Sequence, residues 1–199
     1  MNKYLIGLTG NIAAGKSTVG QMLRELGAAV IDADALTHEL QRKGTPTYAA
    51  IIAAFGESIL AESGEIDRSA LGAIVFASPD RLRTLEQIMH PAVAIESQYR
   101  ILAAPENIVV YEAVKLIEAG RAAMCDAIWV VIAQPDVQLK RLMRDRHLSE
   151  ADARQRLASQ PPPSEKVKWA SVVIDNSGSL AETRRQVEAA FQASVASHG

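Results

Sequence analysis

The sequence predicts an α/β layered fold built on a five-stranded parallel sheet, with a helical insertion between the second and third strands. Three observations carry this. Five short apolar runs recur along the 199 residues, each nearly continuous rather than alternating, as in strands buried on both faces of a parallel sheet. Amphipathic stripes separate them, and strands alternating with helices are the pattern of a layered α/β domain. The segment from about Leu36 to Leu102 reads as helical throughout. It is too long for a simple crossover and is expected to form a subdomain of its own.

The first strand is expected at Tyr4–Leu8, directly before a glycine-containing turn. Val19, Met22, Leu23 and Leu26 follow at i, i+3, i+4, i+7, one apolar stripe of a helix, and Gly27 stands where its C-terminus favours a left-handed residue. Ala29–Ile31 is the second strand. In the insertion, Tyr48, Ile51, Ile52 and Phe55 share a face opened by Thr45-Pro46 and closed by Gly56. Ser78-Pro79 reads as an N-cap with proline at the first helical position, followed by Leu82, Leu85 and Met89 on one face. Ile108–Val114 and Ile128–Ala133 are the third and fourth strands. Ser149, with Asp152 three residues on, caps a further helix. Val172–Ile174 is the last strand, and Ser179 with Glu182 forms a capping box before Val187 and Phe191.

Composition narrows the function classes. The chain is 48% hydrophobic and 22% charged with a net charge of −2, ordinary for a soluble globular domain and without the basic excess of a duplex-DNA binder. Cys125 is the single cysteine, so an internal disulfide is excluded and a reducing, cytoplasmic setting is expected. The N-terminal apolar run is too short for a signal peptide, and no run of eighteen apolar residues predicts a membrane span.

The strongest chemical signal is Gly10-Asn11-Ile12-Ala13-Ala14-Gly15-Lys16-Ser17. It matches G-x-x-x-x-G-K-[ST], placed between a strand and a helix as a phosphate-binding loop requires. Glycines let the backbone curl so that N–H groups point at phosphate oxygens. The helix N-terminus adds partial positive charge. In this pattern Lys16 reaches the β- and γ-phosphates of ATP and the Ser17 hydroxyl ligates Mg²⁺. Asn11 through Thr18 are therefore the expected nucleotide-binding stretch.

The second strand runs into Asp32-Ala33-Asp34. In an extended chain both carboxylates project to one side, near the carboxyl ends of the strands where ligands of open α/β sheets bind. Phosphoryl transfer needs a group that accepts the hydroxyl proton and one that positions Mg²⁺. Asp34 fits the first role and Asp32 the second. Either residue also fits a plain helix cap. Asp175, after Val172-Val173-Ile174, has the look of a Mg²⁺-holding strand end, but Asn176-Ser177-Gly178 reads as a turn and the turn is preferred. Lys140 to Arg146 carries a local charge of +3. It is a solvated helix face or a lid bringing arginines to ATP, a contribution worth roughly 10³–10⁵ in rate.

Taken together, these residues resemble the bacterial dephospho-CoA kinases over nearly the whole chain. The resemblance is carried by Gly7-Leu8-Thr9-Gly10 and the loop, Leu26-Gly27-Ala28, Ile31-Asp32-Ala33-Asp34, Phe55-Gly56, Gly64-Glu65-Ile66-Asp67-Arg68, Val75-Phe76, Leu85 to Pro91, Leu116-Ile117-Glu118, Arg141-Leu142 and Ile174-Asp175-Asn176. It implies a three-layer P-loop kinase fold: a core of about 1–34, 104–139 and 169–199, a helical CoA-binding subdomain of about 35–103, and a lid of about 140–168. It implies the reaction of ATP with dephospho-CoA to give ADP and CoA, with Mg²⁺. Asp34 becomes the residue that activates the 3′-hydroxyl, and Lys16, Asp32 and Arg141 the other catalytic groups. Thr9, Arg68, His90, Lys115 and Glu118 fall on the acceptor side, and Arg141 and Asn176 near the ATP base. A helix-terminal histidine is the competing reading of His90. The expected partners are ATP and dephospho-CoA, with no nucleic acid or membrane, in a monomer or weak homo-oligomer.

The departures from that pattern are specific. Asn11, Ala13 and Ala14 replace two glycines and a serine, which reshapes the loop if either glycine position needs positive φ. Lys115 puts a cation where an apolar residue is expected, pointing outward or meeting a substrate phosphate. Asp145 takes the place of a second lid arginine, and Ala170-Ser171 replaces Ala-Asp before the last strand. Two alternatives stand beside the resemblance: another small-molecule P-loop kinase with a nucleoside, nucleotide or sugar-acid acceptor, and a regulatory nucleotide-binding paralogue. A GTPase is disfavoured because no Asn-Lys-x-Asp motif is present.

Overall fold

The structure, a computed structural model, describes residues 3–196; the first two and last three residues of the expected core segments lie outside the described residues. Its elements run β1 (Tyr4–Thr9), α1 (Lys16–Glu25), β2 (Ala29–Asp32), α2 (Ala33–Leu40), α3 (Pro46–Phe55), α4 (Arg68–Ala77), α5 (Pro79–Ala103), β3 (Ile108–Glu112), β4 (Ala127–Ile132), α6 (Pro135–Arg146), α7 (Glu150–Ala158), α8 (Pro163–Val167), β5 (Val172–Asp175) and α9 (Leu180–Ala196). Single 3₁₀ turns sit at Glu57–Ile59 and Arg121–Met124. Backbone packing divides the chain into two compact units, residues 1–32 with 104–199, and residues 33–103.

The first unit holds a five-stranded, all-parallel sheet in the order β2-β3-β1-β4-β5. Ile6 lies opposite Val110 on one side and Ala127 on the other. Ile6, Leu8 and Trp129 are fully buried and share one core with Val19 and Leu23 of α1 and Val187 and Phe191 of α9. Because every strand runs the same way, the ends at Thr9, Asp32, Glu112, Ile132 and Asp175 all fall on one edge of the sheet. The phosphate loop leaves from that edge. Gly7 is pinched in the middle of β1: a Cβ there would come within 2.7 Å of Leu116, 2.8 Å of Cys125 and 3.0 Å of Ile128.

The helix boundaries follow the local signals. Gly27 ends α1 with φ of 95°. Ser149 accepts from the Asp152 amide at 3.2 Å, and Ser179 and Glu182 exchange the two bonds of a capping box at 2.7 and 3.2 Å. The Asp175 carboxylate accepts from the Ser177 amide and hydroxyl at 2.9 and 2.5 Å, the turn expected there. The expected lid boundary at 140 falls inside α6, which is continuous from Pro135.

The helical unit packs Ile51, Phe55, Ile59, Leu71, Val75 and Met89 into its own core. Thr45 caps α3 by accepting from Tyr48 at 3.0 Å, and the Asp67 carboxylate caps α4 by accepting from Ser69 and Ala70. Two expectations change here. The extended Asp32–Asp34 segment is not formed: β2 stops at Asp32 and α2 starts at Ala33, which lets Ala33 and Leu36, one helical turn apart, both bury. His90 is not at a helix end either, because α5 runs through Pro91 to Ala103. Pro91 lacks the N–H that would bond one turn back, yet the helix is long enough to continue on both sides.

Candidate active site

The site is built around the turn between β1 and α1. Lys16, the first residue of α1, is buried, and its ammonium donates to the Gly10 carbonyl at 3.2 Å. Gly15 has φ of 98°, and a Cβ on it would overlap the Asn176 amide. No other residue fits, because both the left-handed backbone and the close approach exclude a side chain. Ala13 also adopts a left-handed φ, 56°. The sequence departure at 13 therefore places a Cβ-bearing residue where glycine is preferred, at a cost of about 1 kcal/mol.

Side chains from distant elements grip the loop's backbone. The Ile12 carbonyl accepts from Gln138 at 2.8 Å. The Ala13 and Ala14 carbonyls accept from the Arg141 guanidinium at 3.2 and 3.1 Å. Arg141 also donates to the Asn176 carbonyl at 2.8 Å. Asn176, itself buried, donates to the Ala14 carbonyl at 2.9 Å and accepts from Thr183. On the other side, the Ile12 amide donates to Gln160 at 2.8 Å and Asn11 donates to the Pro161 carbonyl at 2.9 Å. Arg141 is thus engaged with backbone carbonyls at the base of the loop. Its neighbours in the basic run lie outward, Arg144 pairing with Asp145 at 2.6 Å on the surface.

The other expected residues separate into groups. Ser17 is exposed in the first turn of α1, and Thr18 is half-buried behind it. Asp32 closes β2 in register with Glu112 on β3. Glu112 is buried, and a Cβ at Gly20 would stand 2.7 Å from its carboxylate oxygen. Hydroxyl and carboxylate oxygens are the donor type Mg²⁺ takes, so Ser17 and Asp32 fit that ion chemically. Thr9 is fully buried and its hydroxyl donates to the Val114 carbonyl at 3.1 Å. This bond braces the end of β1. Lys115 is exposed.

Glu118 accepts from Lys166 at 2.7 Å, and Lys166, almost fully buried, also donates to the Val114 carbonyl at 2.7 Å. Burial pushes the Glu118 carboxyl up, but the Lys166 hydrogen bond, its own backbone amide and the charges of Lys166 and Lys115 outweigh it and hold it below the ordinary range. Burial, with Asp126 nearby, pushes the Cys125 thiol up to about 11, so it is a poor nucleophile at neutral pH.

Within the helical unit, Asp34 lies exposed in the first turn of α2, Arg68 at the first position of α4 and His90 mid-way along α5, all three exposed. A cavity of about 550 Å³ in this unit is lined in part by His38, Arg42 and Arg68 and by the acids Glu65 and Asp67. Glu112, Gln138, Gln160 and Lys166 were missed by the motif reading. Glu112 did leave a signal, as the lone acid in the apolar run Ile108–Val114.

A parallel 2-3-1-4-5 sheet with a gripped phosphate loop and a lysine folded onto it defines a P-loop phosphotransferase of the small-molecule kinase type. The dephospho-CoA kinase family profile matches residues 4–182. The chain belongs to that family. It is 51% identical to the dephospho-CoA kinase of Geobacter metallireducens, over 94% of this chain and 95% of that one. It is 48% identical to that of Symbiobacterium thermophilum, over 98% and 83%. Among solved structures, dephospho-CoA kinase from Campylobacter jejuni superposes with a TM-score of 0.68 at 30% identity, over 96% of each chain. A Thermus thermophilus crystal structure superposes with a TM-score of 0.86 at 32% identity, over the full length of both. Shikimate kinase from Acinetobacter baumannii, at 20% identity and a TM-score of 0.56, shares the fold. ATP is the phosphoryl donor this family membership implies. Among the described residues, no helix is long and apolar enough to cross a membrane.

Proposed function

We propose that this chain transfers the γ-phosphoryl group of ATP to the ribose 3′-hydroxyl of dephospho-CoA, giving CoA and ADP, the last step of coenzyme A synthesis. The observation that carries it is the complete phosphate loop, with Lys16 buried against Gly10, in a chain whose family match spans nearly its whole length.

The roles follow from chemistry. Lys16 and loop amides, those of Ala13 and Gly15 among them, bind the β- and γ-phosphates, Lys16 tracking the charge that develops on the transferring group. Asp34 accepts the proton of the attacking hydroxyl, the general-base step that phosphoryl transfer to an alcohol calls for. Ser17 and Asp32 are the residues that would hold Mg²⁺, which neutralises phosphate charge when bound. Arg141 and Asn176 set the loop and face the nucleotide end of the sheet. Arg68, His90, Lys115 and Glu118 serve the acceptor. The helical unit's cavity is mixed in charge, with His38, Arg42 and Arg68 beside Glu65 and Asp67, and its two guanidinium groups are the donors offered to the diphosphate of dephospho-CoA. Residues 35–103 act as the acceptor subdomain and 140–168 as the lid. The protein works in the cytoplasm, where Cys125 stays reduced, as a monomer or weak homo-oligomer.

The test offers the purified protein ATP and Mg²⁺ with dephospho-CoA, adenosine, AMP and shikimate in parallel, with products followed by mass spectrometry. CoA formed from dephospho-CoA at a kcat/KM at least 100-fold above the rivals supports the proposal. Phosphorylation of a rival with no CoA formed would overturn the acceptor assignment while leaving the nucleotide site standing.

A further inference from the structure

We infer that Gln138 and Gln160 are positioning residues for the phosphates of the nucleotide, acting as a pair of opposite hydrogen-bonding polarity that presets the phosphate loop. Gln138 is buried on α6, and its amide nitrogen donates to the Ile12 carbonyl at 2.8 Å. Gln160, in the link between α7 and α8, offers its amide oxygen to the Ile12 N–H at 2.8 Å. One loop residue is thus held at both backbone ends by side chains 126 and 148 positions away.

The consequence comes from peptide geometry. In a planar trans peptide the C=O of one residue and the N–H of the next point in opposite directions. Gln138 and Arg141 draw the carbonyls of Ile12, Ala13 and Ala14 toward α6, with Asn176 adding a second bond to Ala14. The N–H groups of Ala13, Ala14 and Gly15 must therefore face away from α6. The Ala14 N–H closes a turn onto the Asn11 carbonyl at 3.2 Å. Those of Ala13 and Gly15 are aimed at the side from which an anion approaches. Gln160 fixes the start of this arc, and the neighbouring bond from Asn11 to Pro161 seats the same link on the loop. The left-handed φ of Ala13 makes such bracing necessary, since an alanine there relaxes out of the arc unless its neighbours hold it. The link carrying Gln160 is thereby coupled to the nucleotide, so that ordering one orders the other.

The polarity gives a test in which simple charge effects run the other way. Glu at 160 keeps the acceptor, whereas Lys cannot accept. A cation near phosphates would by itself strengthen nucleotide binding and an anion weaken it. MgADP affinity by calorimetry and the exchange rate of the Ile12 amide in the ligand-free protein are measured for Gln160→Glu, Gln160→Lys, Gln138→Lys and Gln138→Glu. The expected result is Ile12 protection kept in Gln160→Glu and lost in Gln160→Lys. MgADP affinity stays within about threefold in the first and falls about tenfold or more in the second, one tenfold step being 1.4 kcal/mol. Gln138→Lys is tolerated and Gln138→Glu is not, because a carboxylate would face the Ile12 carbonyl. Gln160→Lys binding MgADP better than Gln160→Glu, or Ile12 protection unchanged in both, would overturn the proposal. Because MgADP is the probe, a wrong acceptor assignment would not affect either outcome.

Discussion

At the loop end of the sheet unit, the residues proposed to handle the nucleotide are fixed by other residues. Lys16 is bonded to Gly10, Arg141 to three carbonyls, and Asn176 to the loop on one side and Thr183 on the other. In the helical unit, the residues proposed to handle the acceptor, Asp34, Arg68 and His90, stand exposed on three different helices. The difference teaches where each half of the affinity comes from. A preset site binds phosphates with little ordering to do, whereas exposed side chains lose rotamer freedom only when the acceptor arrives, at about 0.5–1.5 kcal/mol each. The nucleotide half resembles a lock already cut. The acceptor half is assembled around a long, flexible substrate.

The largest expected break is Lys16→Ala. Losing the Lys16 ammonium proposed to meet the transferring phosphates is expected to lower kcat by about 100-fold or more, with dephospho-CoA binding by calorimetry unchanged because the helical unit is untouched. Loss of acceptor binding in this variant would contradict the division of labour.

A smaller effect tests the rigidity of the sheet beneath the loop. Gly7→Ala forces a methyl against Leu116, Cys125 and Ile128, and overpacking of this kind costs about 1–3 kcal/mol. Thermal unfolding is expected to show a Tm several degrees lower with nucleotide specificity intact. An unchanged Tm would mean that the sheet yields easily.

The pair of buried Lys166 and exposed Glu118 gives a pH signature. The Glu118 carboxyl sits below its ordinary value in the folded protein, so the unfolded chain binds the proton more tightly there. The pair's stabilisation is complete above the ordinary Glu range and is lost as pH falls through the depressed value. Glu118→Gln is expected to flatten the acid limb of stability against pH and to leave the neutral side nearly parallel to wild type. A wild-type acid limb in the variant would place the proton uptake elsewhere.

The smallest effect concerns Ala13. Relieving its left-handed φ of 56° with Ala13→Gly is expected to change stability by less than about 1 kcal/mol, since relief of strain is offset by the entropy glycine adds to the unfolded chain. MgADP binding should tighten slightly or hold. A tenfold loss would show that Ala13 contributes a contact rather than strain.

The sequence carried the parts of this protein that are local. The phosphate loop, the caps at Thr45, Ser149 and Ser179, the glycine after α1 and the apolar strands are short-range patterns, and each stands in the structure within two residues of where its pattern placed it, the third strand stopping at Glu112 rather than Val114. Asp32 and Asp34 failed as an extended pair because the apolar run does not say where a strand yields to a helix; burying Ala33 and Leu36 decided it. Gln138, Gln160 and Lys166 were invisible for a different reason. Their partners are backbone atoms of residues tens to over a hundred positions away, and a backbone carbonyl leaves no trace in a sequence. Glu112 sits between these cases: an acid in an apolar strand is a visible anomaly, but its neighbour Asp32 appears only once the strand order is known.

The most direct test separates binding from transfer in Asp34→Asn. Single-turnover phosphoryl transfer to dephospho-CoA and MgADP affinity are measured on the same preparation. Transfer is expected to slow by about 100-fold or more, the loss of a general base, with MgADP affinity within about twofold of wild type because the preset half is untouched. Near-normal transfer, or an equal loss of nucleotide affinity, would contradict it.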